Sequence, residues 1–284
     1  MNDSSVATLD LLAFRTADGM IDTWKRVSGG TVSAMVTRGV ELDWYVFANV
    51  PEGAFVSVKN ESALQSLLFD FAGTGGITVP MGASGTAVFD ASTPLHQVDL
   101  VRLVSLVELG TVVTQFADGL DGSTVTLVRA FLVNVCGGVT YTGTATFAGS
   151  WYNCLGWDSS LPAPLPSLLS YPVGADITDP GSLEVNAKLY CCPNPVDNGV
   201  TSKTEPDWSP RNTRLVVEML IGGQTHYYPV TLPAMLPNRS YRIPELRLLG
   251  GGSSSPDILV ERAGVRFTVD VSDWVDAEQE VILH

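Results

Sequence analysis

Hydrophobic residues alternate with polar ones along much of this chain, and this pattern constrains its fold more than any other feature. In the stretch RLVVEMLIGG, one face of an extended strand carries Leu215, Val217, Met219 and Ile221. A period of two is typical of half-buried strands in antiparallel sheets. Other strand candidates, rich in valine and aromatic residues, are LDWYVFANVP, VTLVRAFLVNV and QEVILH.

Two more segments fit the same interpretation. In VRFTVDVSDW, the alternation predicts that Phe267, Val269 and Val271 point inward, while the polar residues between them point outward. The segment LVRLVSLVELG, residues 100–110, has apolar residues on both faces. We expect it to form one strand that is buried on both sides.

Helix and turn signals are few. In NESALQSLLFDF, Asn60 can cap a first helical turn, and apolar residues follow at helical spacing. These apolar residues are Leu64, Leu67, Leu68 and Phe71. We predict turns for MGASGT and GGGSSSPD, because glycine and serine favour turns and neither segment matches the G-x-S-x-G pattern of an exposed nucleophile.

A proline-rich segment, SLPAPLPSLLSYP, divides the chain near its middle. Proline cannot donate a hydrogen bond to a sheet, so this segment predicts a linker or an edge. We therefore expect an all-β protein with two tandem antiparallel β-sandwich domains, residues 1–140 and 141–284, with a linker or loop at about 155–180.

Composition narrows the classes of function. The formal net charge of −14 disfavours binding to nucleic acid, whose phosphates an acidic surface repels. The 45% hydrophobic content excludes a disordered chain, yet no apolar run reaches the 18 residues of a membrane-spanning helix.

Residue patterns that would indicate catalysis are missing. The three histidines, His96, His226 and His284, lie in no metal-binding or catalytic motif, and no glycine-rich phosphate loop occurs. We expect no enzyme activity, no cofactor and no metal. A hydrolase is the most distant alternative, and it would need a serine or aspartate close to His226.

The four cysteines leave two alternatives open. Cys136 and Cys154 could form a disulfide, or all four could be buried free thiols. The adjacent Cys191 and Cys192 are expected on a strand, with their side chains on opposite faces.

The segment HYYPVTLPAMLPNRSYRIPELRLLGGGSSSPD, followed by GVRFTVDVSDW, is similar to the end of the fimbrillin family, the pilins of the type V pilus of Bacteroidales. The early segments LDLLAFRTADGMID and LDWYVFANVP resemble the N-terminal strands of that family, so the likeness spans nearly the whole chain. The residues that carry the C-terminal likeness are Tyr227, Tyr228, Asn238, Arg239, Tyr241, Pro256, Asp257 and Trp274.

The resemblance implies transthyretin-like sandwiches and a structural, tip or accessory subunit of a cell-surface fimbria. Subunits of this family join by strand addition, in which a neighbour's strand fills an apolar groove, and the fimbria supports adhesion to host or bacterial surface ligands. The resemblance also implies export and a lipoprotein precursor at the outer membrane. We expect the export signal and the lipid-bearing cysteine to lie outside this sequence, and the family's removable first strand to be absent already or to lie upstream.

The C-terminal QEVILH is the candidate donor strand, comprising Gln279, Glu280, Val281, Ile282 and Leu283. The alternative is an ordinary closing strand of its own domain. A different function also stays open, namely a secreted or surface β-sandwich that binds carbohydrate or another ligand. That alternative predicts Trp151, Trp157 and Trp208 on one flat exposed face.

Overall fold

The chain folds almost entirely into strands, which confirms the predicted all-β class. The computed structural model describes residues 5–69, 79–90, 95–116, 124–142, 145–153, 167–196, 211–256, 258, 260, 265–274 and 277–283. Within these ranges lie nineteen strands, one short α-helix and one 3₁₀ turn. The transthyretin-like form of the sandwiches stays a prediction.

The first half of the chain forms seven strands and the helix. Their bounds are β1 (Thr8–Arg15), β2 (Ile21–Ser28), β3 (Thr31–Ala34), β4 (Glu41–Ala48), α1 (Glu61–Gln65), β5 (Leu68–Phe69), β6 (Met81–Val88) and β7 (Leu95–Arg102).

The remaining strands follow from residue 105. Their bounds are β8 (Ser105–Thr114), β9 (Thr124–Val133), β10 (Val135–Thr140), β11 (Ala145–Tyr152), β12 (Ser170–Thr178), β13 (Gly181–Cys191), β14 (Arg214–Ile221), β15 (Gln224–Thr231), β16 (Arg239–Leu248), β17 (Val265–Phe267), β18 (Asp270–Asp273) and β19 (Ala277–Leu283). The 3₁₀ turn, Ser167–Leu169, precedes β12.

A seven-stranded sheet is built from the early strands and from the last strand of the chain. Its order is β2-β1-β4-β6-β7-β19-β3. Leu11 of β1, Val46 of β4, Leu100 of β7 and Val32 of β3 are all fully buried in one core. Because strands from both ends of the sheet supply this core, the sheet folds over on itself around these side chains.

A sandwich of two sheets is formed by later strands. One sheet has the order β12-β9-β14-β15, and the other has the order β13-β8-β16-β17, with β18 also on β16. Between them lies the largest core, which includes Leu215, Val217, Met219 and Ile221. The face predicted for these four residues is therefore confirmed. Val216, on the opposite face of β14, is buried too, so that strand is covered on both sides.

A third core joins the seven-stranded sheet to the sandwich of later strands; these are the two assemblies of the fold. The small sheet β11-β10-β5 contributes Val139 and Phe69, the seven-stranded sheet contributes Phe47, and the later strands contribute Tyr190. Trp274, which directly follows β18, lies in the same core. Strand pairing does not by itself set a domain boundary, and the division predicted at residue 140 stays a prediction.

Two predictions about the first half of the chain were partly wrong. Asn60 does cap a helix, since its side chain accepts a hydrogen bond from the Ala63 amide at 2.8 Å. The helix nevertheless ends at Gln65, because the chain turns into the short strand β5. Segment 100–110 forms two strands rather than one, since β7 ends at Arg102 and β8 begins at Ser105.

Two further predictions were wrong because sheet context overrode local pattern. MGASGT, predicted as a turn, lies inside β6 and pairs with β4 along its whole length. VRFTVDVSDW forms two short strands, and the side chains of Phe267 and Val271 are 42% and 52% exposed. Both strands pair with β16, and of the three residues predicted to point inward only Val269, which lies between the strands, is half-buried and packs against the core of the later sandwich. GGGSSSPD has no strand among its described residues, as expected for a turn segment.

The glycine-serine loop covers an open sheet edge. β15 is the last strand of its sheet, and Tyr227 exchanges two main-chain hydrogen bonds of 2.9 Å with Ser253 in that loop. The Tyr228 hydroxyl donates to the Gly250 carbonyl at 2.8 Å. An uncovered edge can pair with another chain, so the loop protects β15 from unwanted association. Pro229 is tolerated in β15 because this is an edge strand.

Gly252 gives a test of this packing. A Cβ atom on Gly252 would lie 2.6 Å from the Tyr227 carbonyl oxygen and 3.0 Å from the Tyr228 ring. We expect Gly252→Ala to lower the free energy of unfolding by about 1–3 kcal/mol, because backbone must shift to admit the methyl group. Urea denaturation measures the change. Gly250→Ala is the matched control, since a Cβ there meets nothing within 4 Å. Equal stability of the two variants would contradict the close packing.

The described cysteines are buried thiols. Cys136, Cys191 and Cys192 are buried and in no disulfide, whereas Cys154 lies outside the described residues. Cys191 packs in the core of the later sandwich and Cys192 in the core between the two assemblies, as opposite faces predict. Burial, followed by the neighbouring Cys192 and Cys136, raises the pKa of the Cys191 thiol, so this group stays protonated.

Candidate strand-acceptor site

The last strand of the chain occupies a slot in the sheet formed by the first strands. β19 pairs antiparallel with β7, from Ala277 opposite Leu100 to Ile282 opposite Leu95. On its other edge it pairs in parallel with β3, from Glu280 opposite Thr31 to Leu283 opposite Ala34. β3 and β7 are therefore joined in this sheet through β19, and the slot between them is one strand wide.

Buried residues line both walls of this slot. Val98 and Leu100 of β7, and Val32 and Ala34 of β3, point into the core of the seven-stranded sheet. Val281 holds the register position opposite Val32. A shift of one residue would move every side chain of the inserted strand to the other face, so these apolar walls specify the register.

Trp274 fixes the point from which β19 departs. Its main-chain amide donates to the Asn238 carbonyl at 3.1 Å, and its ring lies 5.9 Å from that of Tyr190. The Arg102 guanidinium, at the end of β7, lies 4.6 Å from the centre of the same ring, which is cation–π geometry. The last strand therefore leaves the later sheets at an anchored residue beside the slot.

A buried carboxylate ties together strands at the other end of this sheet order. Asp10 of β1 accepts a hydrogen bond from Trp24 Nε1 at 3.1 Å and from Arg26 Nη1 at 2.8 Å. Burial raises the pKa of Asp10, and the Trp24 hydrogen bond and the Arg26 charge oppose that effect. Because Arg26 also donates to the Val50 carbonyl at 2.8 Å, this network links β1, β2 and the end of β4.

The donor candidates, residues 279–283, all lie in β19. Sequence reasoning identified this strand but not its acceptor, because β3 is only four residues long and carries no distinctive pattern. The only sequence signal for the strands that pair with β19, namely β3 and β7, is their content of valine and leucine.

Other predicted residues are not brought together. Trp151 is half-buried in β11 and packs against the core between the two assemblies, whereas Trp157 and Trp208 lie outside the described residues. His226 Nδ1 lies 3.2 Å from the Gly252 carbonyl oxygen, a main-chain contact in the loop that covers β15.

Two kinds of feature are missing from the described residues. In that part of the chain, histidine, cysteine and carboxylate side chains form no group of three or more that could hold a metal ion. The described helices also include none with the length and hydropathy needed to cross a bilayer.

Comparison with known proteins identifies the fold. No protein-family model and no curated protein sequence matches the chain. Solved structures do match. The chain is similar to fimbrilin FimA of Porphyromonas gingivalis W83, at 14% identity with a TM-score of 0.64, over 97% of this chain and 92% of that one. It is also similar to a proposed cell adhesion protein from Bacteroides eggerthii, at 17% identity with a TM-score of 0.64, over 99% and 91% of the two chains.

A third similar structure is the tip fimbrial protein Mfa3 of Porphyromonas gingivalis, in a form with a C-terminal truncation. The identity is 14% and the TM-score 0.53, over 95% of each chain. Fold and slot together define an all-β protein whose N-terminal sheet is completed by its own last strand. Its fold is that of fimbrillins and of proposed cell adhesion proteins of Bacteroidales, so the resemblance seen in the sequence is confirmed at the level of the fold.

Proposed function

We propose that this protein is a structural or accessory subunit of a cell-surface fimbria, and that its subunits join by strand addition. The position of β19 carries this proposal. The strand is last in the chain, yet it fills a slot between β7 and β3 in the sheet of the first strands. A second copy's β19 can make the same main-chain hydrogen bonds in that slot, because strand addition relies on backbone pairing for affinity.

The fold supports the same role. The proteins that share it include a fimbrilin and a fimbrial tip protein. The proposal is therefore one of assembly and adhesion rather than of catalysis. It includes export and residence in a fimbria at the outer membrane, with surface ligands of host or bacterial cells as adhesion partners.

A disulfide trap tests exchange between copies directly. Glu280 of β19 and Gln97 of β7 are directly opposite each other. One preparation carries Glu280→Cys and a second carries Gln97→Cys, so a bond between these positions can form only between two copies. We expect a covalent dimer on non-reducing gels after the two are mixed under oxidising conditions, because directly opposed residues of antiparallel strands have Cα atoms about 4.5–5.5 Å apart, within the range that disulfides span.

The control replaces the acceptor with a distant cysteine. Glu184→Cys lies on an exposed position of β13, in the other assembly. Mixing it with Glu280→Cys should give no more dimer than random collision gives. Equal dimer yields with Gln97→Cys and Glu184→Cys would refute strand exchange at this slot.

A further inference from the structure

A cavity opens between β6 and β7 on the outer face of the seven-stranded sheet, and β7 is also one wall of the strand slot. Its volume is about 460 Å³, which falls within the range of small-ligand sites, roughly 300–1,000 Å³. Strands β4 and β6 form its floor, through Tyr45, Phe47, Gly82 and Ser84. Since Tyr45 is opposite Ser84 and Phe47 is opposite Gly82, these four residues share one face of the sheet.

Two features of the sequence create this cavity. β6 pairs with β4 along eight residues but with β7 only at Met81 and Gly82, so β6 and β7 separate beyond that point. Gly82 also adds depth to the cavity, because it has no side chain. A Cβ atom there would lie 3.0 Å from the Phe47 ring, so a larger residue would not fit without displacing it. The small residues of the segment MGASGT therefore make room for the cavity and do not form a turn.

The wall and rim combine apolar surface with polar groups. Val101 is apolar and 42% exposed, while Ser84, Asp99 and Thr142 place two hydroxyls and a carboxylate at exposed positions. The Tyr45 hydroxyl donates to Glu61 Oε1 at 2.6 Å and also has a hydrogen bond with Gln65, so it is held by the helix α1. Burial raises the pKa of Tyr45 to about 12, so the phenol stays neutral.

The charges on the lining disfavour an anion. Asp99 is exposed and negative, whereas the one cationic residue of the described lining, Arg102, is only 2% exposed and lies against the Trp274 ring. A purely apolar ligand would strip water from the carboxylate without replacing its hydrogen bonds, which is costly. The preferred ligand is thus uncharged, with both hydrogen-bonding groups and an apolar face.

We propose that this cavity binds a short neutral saccharide. A pyranose offers hydroxyls that both donate and accept, which suit the hydroxyls of Ser84 and Thr142, and vicinal hydroxyls that can donate to both oxygens of Asp99. Its C–H face can pack on the exposed apolar surface of Val101. An extended peptide fits less well, because the cavity lies on the face of the sheet, where side chains rather than main-chain groups are presented.

Glycan-array binding followed by calorimetry tests this assignment on the full-length chain. The probes are neutral oligosaccharides built on lactose, maltose and diacetylchitobiose, with sialylated and sulfated forms of each. We expect at least one neutral probe to bind, with no gain from sialic acid or sulfate. Asp99→Ala should weaken that binding about ten-fold, the usual effect of removing a hydrogen bond to a charged group.

Ser84→Trp is the deciding variant, because it fills the cavity from an exposed position of β6 without touching the slot of β19. It should abolish binding, whereas Glu184→Ala, which removes an exposed carboxylate in the other assembly, should leave it unchanged. The assignment fails if no neutral probe binds, if binding survives Ser84→Trp, or if only charged glycans or peptides bind. These results stay distinguishable from a failure of strand exchange, because the disulfide trap reports exchange through Gln97 and Glu280, which are not among the described lining residues of the cavity.

Discussion

Removal of residues 279–284 is expected to abolish assembly while leaving a folded monomer. The deletion takes away most of the main-chain partners that β19 offers to β7 and β3. Its pairing partners, β7 and β3, both belong to the seven-stranded sheet, so the later sandwich and the joining core should persist. Light scattering would measure the loss of higher oligomers, and far-UV circular dichroism would measure the retained strand content. An unfolded or aggregated product would instead identify β19 as an ordinary closing strand.

Adding the missing strand back as a peptide sharpens this test. A synthetic peptide of residues 279–284 should bind the truncated chain and raise its melting temperature, because a ligand that binds only the folded state stabilises it, by about 2.7 kcal/mol at a hundred times its Kd. A control peptide carries aspartate in place of Val281 and Leu283, whose register positions are opposite the buried residues Val32 and Ala34. The control should not bind. Equal binding of both peptides would contradict a slot that selects apolar side chains at the register positions of Val281 and Leu283.

Local pattern predicted many of these strands but not whether their faces are covered. Alternation placed Leu215 and Met219 correctly, because β14 lies inside a sheet with a second sheet against it. The same alternation misled for Phe267 and Val271, whose strands lie at the outer edge of β16. A period of two specifies two faces, and only the tertiary fold decides which face has a neighbour. Sequence alone could not supply that neighbour.

The acceptor slot and the cavity depend on non-local choices. β19 pairs with β7, 177 to 187 residues earlier, and with β3, 249 residues earlier, and no feature of Gln279–Leu283 encodes these distances. The cavity depends on the separation of β6 from β7 after one short stretch of pairing. Such separation arises where a sheet folds over its own core, which local sequence does not encode. Read locally, the glycine and serine residues of MGASGT indicated a turn. That residues 279–283 form a strand was predictable, because Val281 and Ile282 have high strand propensity; their role as a donor stays a prediction.

The joining core explains how one anchored residue can serve both assemblies. Trp274 follows directly on β18, which pairs with β16 of the later sheets, and it precedes β19 in the first sheet. Asn238 reaches the same place from the other side, since its side-chain oxygen accepts from the Arg102 amide at 3.3 Å and its own amide donates to the Val104 carbonyl at 3.0 Å. The turn before β16 and the link between β7 and β8 are thereby held together, next to the strand that is proposed to exchange.

Trp274→Ala should therefore destabilise the protein more than Gly252→Ala does. Trp274 is buried, and removing a buried tryptophan costs about 3–5 kcal/mol through lost apolar burial and the cavity left behind. The substitution would also remove the aromatic ring that faces the buried Arg102 guanidinium, a further loss of about 1–2 kcal/mol. Urea denaturation measures the change in unfolding free energy. In the disulfide trap, we expect β19 to exchange more readily, because its point of departure is no longer held.

Val271→Ala is the matched control for Trp274→Ala. Val271 is a neighbouring apolar residue of β18, but its side chain is 52% exposed, so its truncation should change stability by less than about 0.5 kcal/mol. A double-mutant cycle with Arg102→Ala then separates cavity formation from the cation–π contact, since only a direct interaction makes the two losses non-additive. Similar losses for Trp274→Ala and Val271→Ala would mean that the tryptophan does not anchor the strand. The exchange would then be governed by pairing within the slot alone.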